Sequence, residues 1–413
     1  MENRSMGTIV ALVGILTTCP LIYVLLTVVQ PQVLMSRDYK SIKQSRGRNR
    51  QTPEIDHRLP YTFEDPRALL NEGDPLPTVA ILTYFSDREA KRLYHRPLST
   101  LECYAKRENV TLLQISDDHL TADQRAVCNR TNVRFRKHCM VALIIQARQD
   151  IDWFFVLDAD TGVANPNHSL YEYLDPAVDM IWYERFFIWE IASGNYIVRN
   201  TEFAQKFIMR WSQIESELPR GKGIYHSWDN GANHVELLRT IYADRPDVSE
   251  SCSKYWYEGH FHLFVWCADH YLRLRRCTKH IRILRRAHAW VIDRFIVNDH
   301  TSPVLFMQHG WKDSQTNSGA NWVLDRLPAD AECDPALKAP WPIRPDRIVS
   351  DEQMREIIAK WEREKQKEFG LQMDADVGEC FPNCEVKDTS RFQSPAKIKL
   401  PDLPGLNGLP FVC

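Results

Sequence analysis

The sequence predicts an α/β fold: a mostly parallel mixed sheet flanked by helices, behind an N-terminal membrane anchor. Three observations carry this. Short continuous apolar runs, of which Trp153-Phe-Phe-Val-Leu157 is the clearest, read as strands buried on both faces. Such runs alternate with stretches of helical spacing, as they do in parallel sheets. Residues 6–29 are uncharged and mostly apolar, long enough as a helix to cross a bilayer core of roughly 30 Å.

The elements follow in chain order. Thr78 to Phe85 is a buried strand closed by Ser86-Asp87. Glu89 to Arg107 has helical spacing interrupted at Pro97, and Val110 to Ile115 is a second strand. Arg136 to Arg148 is amphipathic, with Met140, Ile144 and Ala147 on one stripe. The strand at 153–157 then ends in Asp158 and Asp160, and Gly162 and Asn165-Pro166 turn the chain. Val178 to Tyr183 is strand-like. The apolar stretch after Trp189 is broken by Ser193-Gly194-Asn195, where a glycine lets backbone come close to a ligand. Thr201 caps a helix running to Glu217, and His226 to Ala232 leads into a helix reaching Ile241. Val304 to Lys312 is a short strand ending in His309, Gly310 and Lys312. Ser350 to Phe369 is a helix with a Ser350/Gln353 capping box and a stripe of Met354, Ile357, Ile358 and Trp361.

Composition bounds the function. With 44% hydrophobic and 26% charged residues the chain can build an ordinary globular core. A formal net charge of −2 gives no general argument for nucleic acid or an anionic membrane. The basic run Arg273, Arg275, Arg276, Arg285 and Arg286 lacks the interleaved aromatics of a nucleic-acid platform and is expected as a solvated face, meeting an anionic acceptor. Of 11 cysteines, Cys19 lies in the apolar run; the rest are scattered after residue 100, without zinc-ribbon spacing. Behind a membrane-directed segment they suggest disulfides in an oxidising lumen. The apolar run is longer than that of a cleaved signal peptide, which favours an uncleaved anchor. Basic residues cluster after the run, against a luminal body. The cysteines and the sequons at Asn109 and Asn129 argue for one, and long domains translocate largely regardless of charge. A third sequon, Asn167-His-Ser169, lies beside the acidic pair and is expected to stay unglycosylated.

The expected organisation is a cytoplasmic tail (1–5), a signal-anchor (6–29), a stem (30–76), a catalytic domain (77–320) and a C-terminal extension (321–413). The extension carries Cys380, Cys384 and a Pro-rich end. The expected location is the Golgi or ER membrane, single-pass type II, with a homo-oligomer formed through the stem or the extension.

Two carboxylates at the mouth of a buried strand are costly unless paired. A divalent cation satisfies both, and hard cations such as Mn²⁺ or Mg²⁺ often share oxygen ligands with a diphosphate. Open α/β sheets place ligands at the carboxyl ends of their strands. Asp158 and Asp160 therefore suggest a metal–diphosphate site in an enzyme using a nucleotide-activated donor. His309 fits a third metal ligand beside a phosphate-binding Lys312. Thr83 and Tyr84 are candidate base or ribose contacts, although Tyr84 reads equally as core. Arg136 and Lys137 stand at a helix start, facing a diphosphate or solvent. Asp229 and Asn230 are helix caps or hold a sugar hydroxyl.

Four stretches in order, Asp158-Ala-Asp160, Ala192-Ser-Gly-Asn-Tyr-Ile-Val-Arg-Asn200, Asp229-Asn-Gly-Ala232 and His309-Gly-Trp-Lys312, resemble a family of glycosyltransferase-like proteins. That family is known chiefly from nematodes and is classed as a domain of unknown function. More distantly, the chain is similar to galactosyl- and xylosyltransferases of yeast mannan and plant xyloglucan synthesis. The resemblance covers roughly residues 77–320. It implies a GT-A-like fold, a nucleotide-sugar donor of the UDP-linked kind, a Mn²⁺ ion and a glycan or glycoconjugate acceptor. Asp158, Asp160 and His309 would bind the metal, and Lys312 the diphosphate. Ser193, Gly194 and Asn195, with Asp229 and Asn230, would line the sugar site. Asn230-Gly231 departs from the more acidic or amide-rich turn of the distant relatives.

The distant relatives retain configuration, with the leaving phosphate taking the acceptor proton; an inverting enzyme would need a carboxylate base, Asp229 or Glu190. Two rivals remain. Haloacid-dehalogenase-like phosphatases also end a strand in D-x-D, but want Thr or Val where residue 162 is Gly. An inactive sugar-binding protein on the same fold is the other.

Overall fold

The computed structural model describes residues 76–186, 188–221, 225–312 and 322–369. The anchor, nearly all of the stem and the Pro-rich end lie outside them. Among the described residues no helix is long and apolar enough to cross a membrane.

Val79–Phe85 (β1) is buried along its whole length because it lies inside the sheet, parallel to Thr111–Ser116 (β2) on one side and Trp153–Leu157 (β3) on the other. Tyr196–Arg199 (β6) follows antiparallel to β3, then Met180–Tyr183 (β5) and Ile281–Leu284 (β7). The order is β2-β1-β3-β6-β5-β7, and only β6 runs against the rest. The sheet is mixed and mostly parallel, as the alternating pattern predicts. A smaller sheet joins Thr161–Val163 (β4), Met307–His309 (β9) and Val291–Asp293 (β8) in the order β4-β9-β8.

Helices cover both faces. The expected helix interrupted at Pro97 is instead a five-residue helix, Arg88–Arg92, followed by His95–Arg107 (α1). The break falls at Leu93-Tyr94, because Pro97 sits in the first turn of α1, where an N–H has no intrahelical partner anyway. Val133–Ala147 (α2) starts one turn earlier than its apolar stripe suggests, with Asn132 accepting from the Arg134 amide. It is buried on several sides, and Ala147, expected on the buried stripe, is exposed. Glu202–Gln213 (α3), Trp228–Ile241 (α4), Pro246–Tyr257 (α5) and Phe261–Leu274 (α6) build the layer against β5 and β6. Asp351–Phe369 (α7) begins at the expected Ser350/Gln353 box and buries Met354 and Ile358 against Phe186, Ile292 and Ile296.

Disulfides join Cys103 to Cys333, Cys128 to Cys139 and Cys252 to Cys267. The first ties α1 to the segment after residue 321, the bridge Thr301↔Ile348 adds to that docking, and Leu324↔Ile343 closes the segment on itself.

The basic run is not a solvated face. Arg273, Arg276, Arg285 and Arg286 are buried. Three of them converge on Glu184 at the end of β5, from Arg273 at 3.1 Å, Arg276 at 2.5 Å and Arg286 at 3.1 Å. Arg286 also reaches Glu362 of α7 at 3.4 Å. A buried carboxylate must be paired, and this one takes its partners from the run. Burial alone would raise the Glu184 pKa, but the arginines hold it far below the carboxylate range. Arg275 turns outward to Asp244 at 2.8 Å.

Candidate metal centre

The small sheet assembles the site. β3 delivers Asp158 and Asp160, and the chain then pairs as β4 with β9. The register sets His309 opposite Thr161 on one side and opposite Asp293 of β8 on the other. The amides of Gly310 and Trp311 donate to the Asp160 carbonyl at 3.0 and 2.8 Å. Gly310 has φ +100°, a conformation that favours glycine.

His309 Nε2 lies 3.2 Å from Asp160 Oδ1 and 3.5 Å from Asp158 Oδ2. One ligand atom from each of these three side chains falls within 4.8 Å of the others. The far ring nitrogen, Nδ1, sits 2.7 Å from Asp293 Oδ1, the outer-shell carboxylate that commonly fixes the tautomer of a metal-binding histidine. Arg185 grips Asp293 with two bonds of 3.0 Å. Lys312 Nζ is 3.8 Å from Asp160 Oδ2 on an exposed side chain.

Lys137 is neither a solvated helix end nor open to a diphosphate. Since α2 starts at Val133, Lys137 falls in its second turn, is buried, and holds Asp158 Oδ1 at 2.5 Å and the Gly194 carbonyl at 3.1 Å. It uses the carboxylate oxygen that His309 does not face. Asp158 Oδ2, Asp160 Oδ1 and His309 Nε2 therefore remain together, a set of two carboxylate oxygens and one imidazole nitrogen that fits a divalent cation such as Mn²⁺. Burial would raise the Asp158 pKa, but Lys137 and then His309 bring it well below the usual range. For His309 burial pulls downward, yet Asp160, Asp158 and Asp293 raise it well above 6.5. A cation binding at Nε2 must displace that proton.

The glycine at 194 makes room for a close approach within the protein. A Cβ there would stand 1.9 Å from Asp158 Oδ2, so the residue is small to admit the carboxylate itself. Asn195 is likewise internal: its Oδ1 accepts from the Asp158 amide at 3.1 Å and the Thr161 hydroxyl at 2.9 Å, bracing the turn that presents the acids. Ser193 bonds through amide and hydroxyl to Asn230 Oδ1. Asn230 in turn donates to Glu190 Oε1 at 2.7 Å. Gly231 is glycine for a steric reason, since a Cβ would meet the His226 carbonyl at 2.4 Å.

Asp229 lies in the first turn of α4, with Oδ2 3.2 Å from His138 Nε2. His138 is fully buried, stacks on Trp211 and contacts the Tyr196 hydroxyl at 3.0 Å. Burial lowers its pKa to about 4, so it is neutral at pH 7. Neighbouring residues of α2 thus brace both acids, Lys137 on Asp158 and His138 on Asp229. Glu190 is 1% exposed and bound by Arg185, Asn230 and Ser227; burial, offset in part by Arg185, raises its pKa to about 7.

Thr83 is enclosed within β1, which keeps its side chain from a ligand. Tyr84 is buried in a cluster with Leu120, Cys128, Cys139 and Met140, its hydroxyl donating to Asp117, which Arg136 also contacts at 3.0 Å. Asp293, Arg185 and His138 are absent from the sequence reading. Asp293 at least carried a signal, since it ends a short apolar strand in an acid as Asp158 does.

Residues 101–325 match the family described as "Protein of unknown function, DUF273". The chain belongs to this family. No curated protein is matched. Among solved structures, the chain is similar to a glycosyltransferase involved in the glycosylation of the major capsid of PBCV-1, at 14% identity and a TM-score of 0.37, covering 59% of this chain and 98% of that one. It is also similar to A197 from STIV, at 7% identity and a TM-score of 0.21, covering 36% and 72%.

Proposed function

We propose that this member of the family is a metal-dependent glycosyltransferase of GT-A-like fold. It moves a sugar from a nucleotide-diphosphate donor, UDP-linked, to a glycan or glycoconjugate acceptor. The observation that carries this is the convergence of Asp158, Asp160 and His309 beside Lys312, at the carboxyl end of a parallel strand.

Asp158 Oδ2, Asp160 Oδ1 and His309 Nε2 would hold the ion. When bound, it supplies Lewis acidity toward the leaving diphosphate. Lys312 adds an exposed positive charge where negative charge develops. Asp229, at the entry of α4, offers a carboxylate for a sugar hydroxyl and is kept in place by a neutral His138. Glu190 is too enclosed to serve as a base for an acceptor. The reaction retains configuration: the acceptor oxygen bonds to the anomeric carbon as the bond to the diphosphate breaks, and the leaving phosphate oxygen takes the proton. The enzyme works in the lumen of the Golgi or ER, anchored by residues 6–29.

A panel of nucleotide sugars incubated with the purified full chain tests this. Hydrolysis or transfer that needs Mn²⁺ and disappears in Asp160→Ala is expected. Phosphate release from simple phosphoesters, with nucleotide sugars untouched, would transfer the assignment to a phosphatase.

A further inference from the structure

The proposed cation site and the Ser193–Asn230 pair are joined by one side chain. Arg185 stands just after β5, on a turn closed by the Glu184↔Ile191 bridge and by its own amide donating to the Glu190 carbonyl at 2.8 Å. Its Nε and Nη2 hold both oxygens of Asp293 at 3.0 Å, and its Nη1 holds Glu190 Oε1 at 2.7 Å. Asp293 leads to His309 Nδ1, and so to the metal ligands. Glu190 leads the other way, to Asn230 at 2.7 Å and Ser227 at 3.2 Å, and Asn230 to Ser193.

The backbone around this bridge is strained. Ile188 and Trp189 have φ of 44° and 60°, and Ser227 and Trp228 both have 49°. Left-handed geometry is costly for non-glycine residues, most of all for a β-branched one, and persists only where the surroundings over-determine it. Both strained pairs flank carboxylate contacts in the same network: 188–189 precede Glu190, and Ser227 itself donates to it.

We infer that Arg185 is a positioning residue that couples the proposed cation site to the Ser193–Asn230 pair. Through Asp293 it fixes the His309 ring, and through Glu190 it fixes the Asn230–Ser193 pair. Only a guanidinium can do this, because the task needs a planar fork on one carboxylate and a third donor on another. The inference rests on the proposed metal-dependent function.

The test is a Mn²⁺ titration of the full chain by electron paramagnetic resonance, for wild type, Arg185→Met, Arg185→Lys, Asp293→Asn and the Arg185→Met/Asp293→Asn double variant. Arg185 touches no ligand atom, yet Arg185→Met should weaken Mn²⁺ binding by roughly 10- to 100-fold, as loss of outer-shell partners does. Arg185→Lys keeps the charge and the folded state but not the fork, and should fall at least roughly 10-fold. In the Asp293→Asn background, Arg185→Met should cost little more, because the route to His309 is already cut. Folded Arg185 variants with wild-type Mn²⁺ affinity, or full additivity in the double variant, would overturn the inference. A wild-type chain that binds no Mn²⁺ would instead remove the functional proposal beneath it.

Discussion

Replacing Gly194 by alanine changes no charge and no ligand, and it should still abolish the cation site. The added Cβ would fall 1.9 Å from Asp158 Oδ2. Ordinary contact needs about 3.5 Å, so one side must move by roughly 1.5 Å. The carboxylate has little freedom, with Oδ1 held by buried Lys137 at 2.5 Å and its own amide held by Asn195. The backbone at 194 has little either, since it leads directly into β6, paired on both sides. Metal–ligand distances tolerate deviations of only about 0.2 Å. We expect Gly194→Ala to weaken Mn²⁺ binding at least roughly 100-fold, equivalent to about 2.7 kcal/mol. The crowding should cost about 1–3 kcal/mol of stability. Isothermal titration with Mn²⁺ and thermal unfolding read the two quantities separately. A folded Gly194→Ala chain that binds Mn²⁺ within threefold of wild type would refute the placement of Asp158 Oδ2 among the ligands.

Lys312→Ala should reduce donor hydrolysis roughly 100-fold, the scale of losing one charge-stabilising donor, while leaving Mn²⁺ affinity within a few-fold; steady-state kinetics beside a Mn²⁺ titration separates these. Cys103→Ala/Cys333→Ala opens a link across 230 residues and should cost about 2–5 kcal/mol, read from denaturant unfolding. His288 is buried and, by burial first and nearby arginines second, has its pKa lowered to about 3. Its folded pKa is below the unfolded value near 6.5, so its contribution is present above that value and is lost as pH falls toward 3. Between pH 7.5 and 5.5 the loss is about 1.4 kcal/mol. A His288→Leu chain should therefore lose that much less than wild type over the same interval, measured by urea unfolding at both pH values.

The parts of this molecule written in local pattern were legible from the chain. β1 and β3 are nearly continuous apolar runs, and periodicity finds such runs because burial on both faces leaves few polar positions, while β2 is a half-buried edge strand found by its shorter apolar stretch. The capping box at Ser350 and the cap at Thr201 are local hydrogen-bond chemistry, which spacing reveals directly. His309 was picked out beside a glycine and a lysine at a strand end, and the three-stranded sheet brings it to the acids. What failed was burial of charge. Lys137 looked exposed because the helix start was placed one turn late, and the arginines after Arg273 looked solvated because a long basic run usually is. Their acidic partners, Asp158, Glu184 and Glu362, lie far away in the sequence, and no local pattern encodes such pairings. Arg185 escaped for the same reason, while Asp293 ends a strand too short to stand out. Asn195 and Gly194 were placed in the right region, but their contacts with Asp158 were not legible, because small and amide residues that brace a carboxylate leave the same trace as those that receive a sugar.

The most direct test is anomalous diffraction at the manganese edge from crystals of the protein soaked with Mn²⁺ and UDP. A single peak bounded by Asp158 Oδ2, Asp160 Oδ1 and His309 Nε2, with the diphosphate beside Lys312, is the expected result. UDP bound with no anomalous peak there would contradict a cation-centred site.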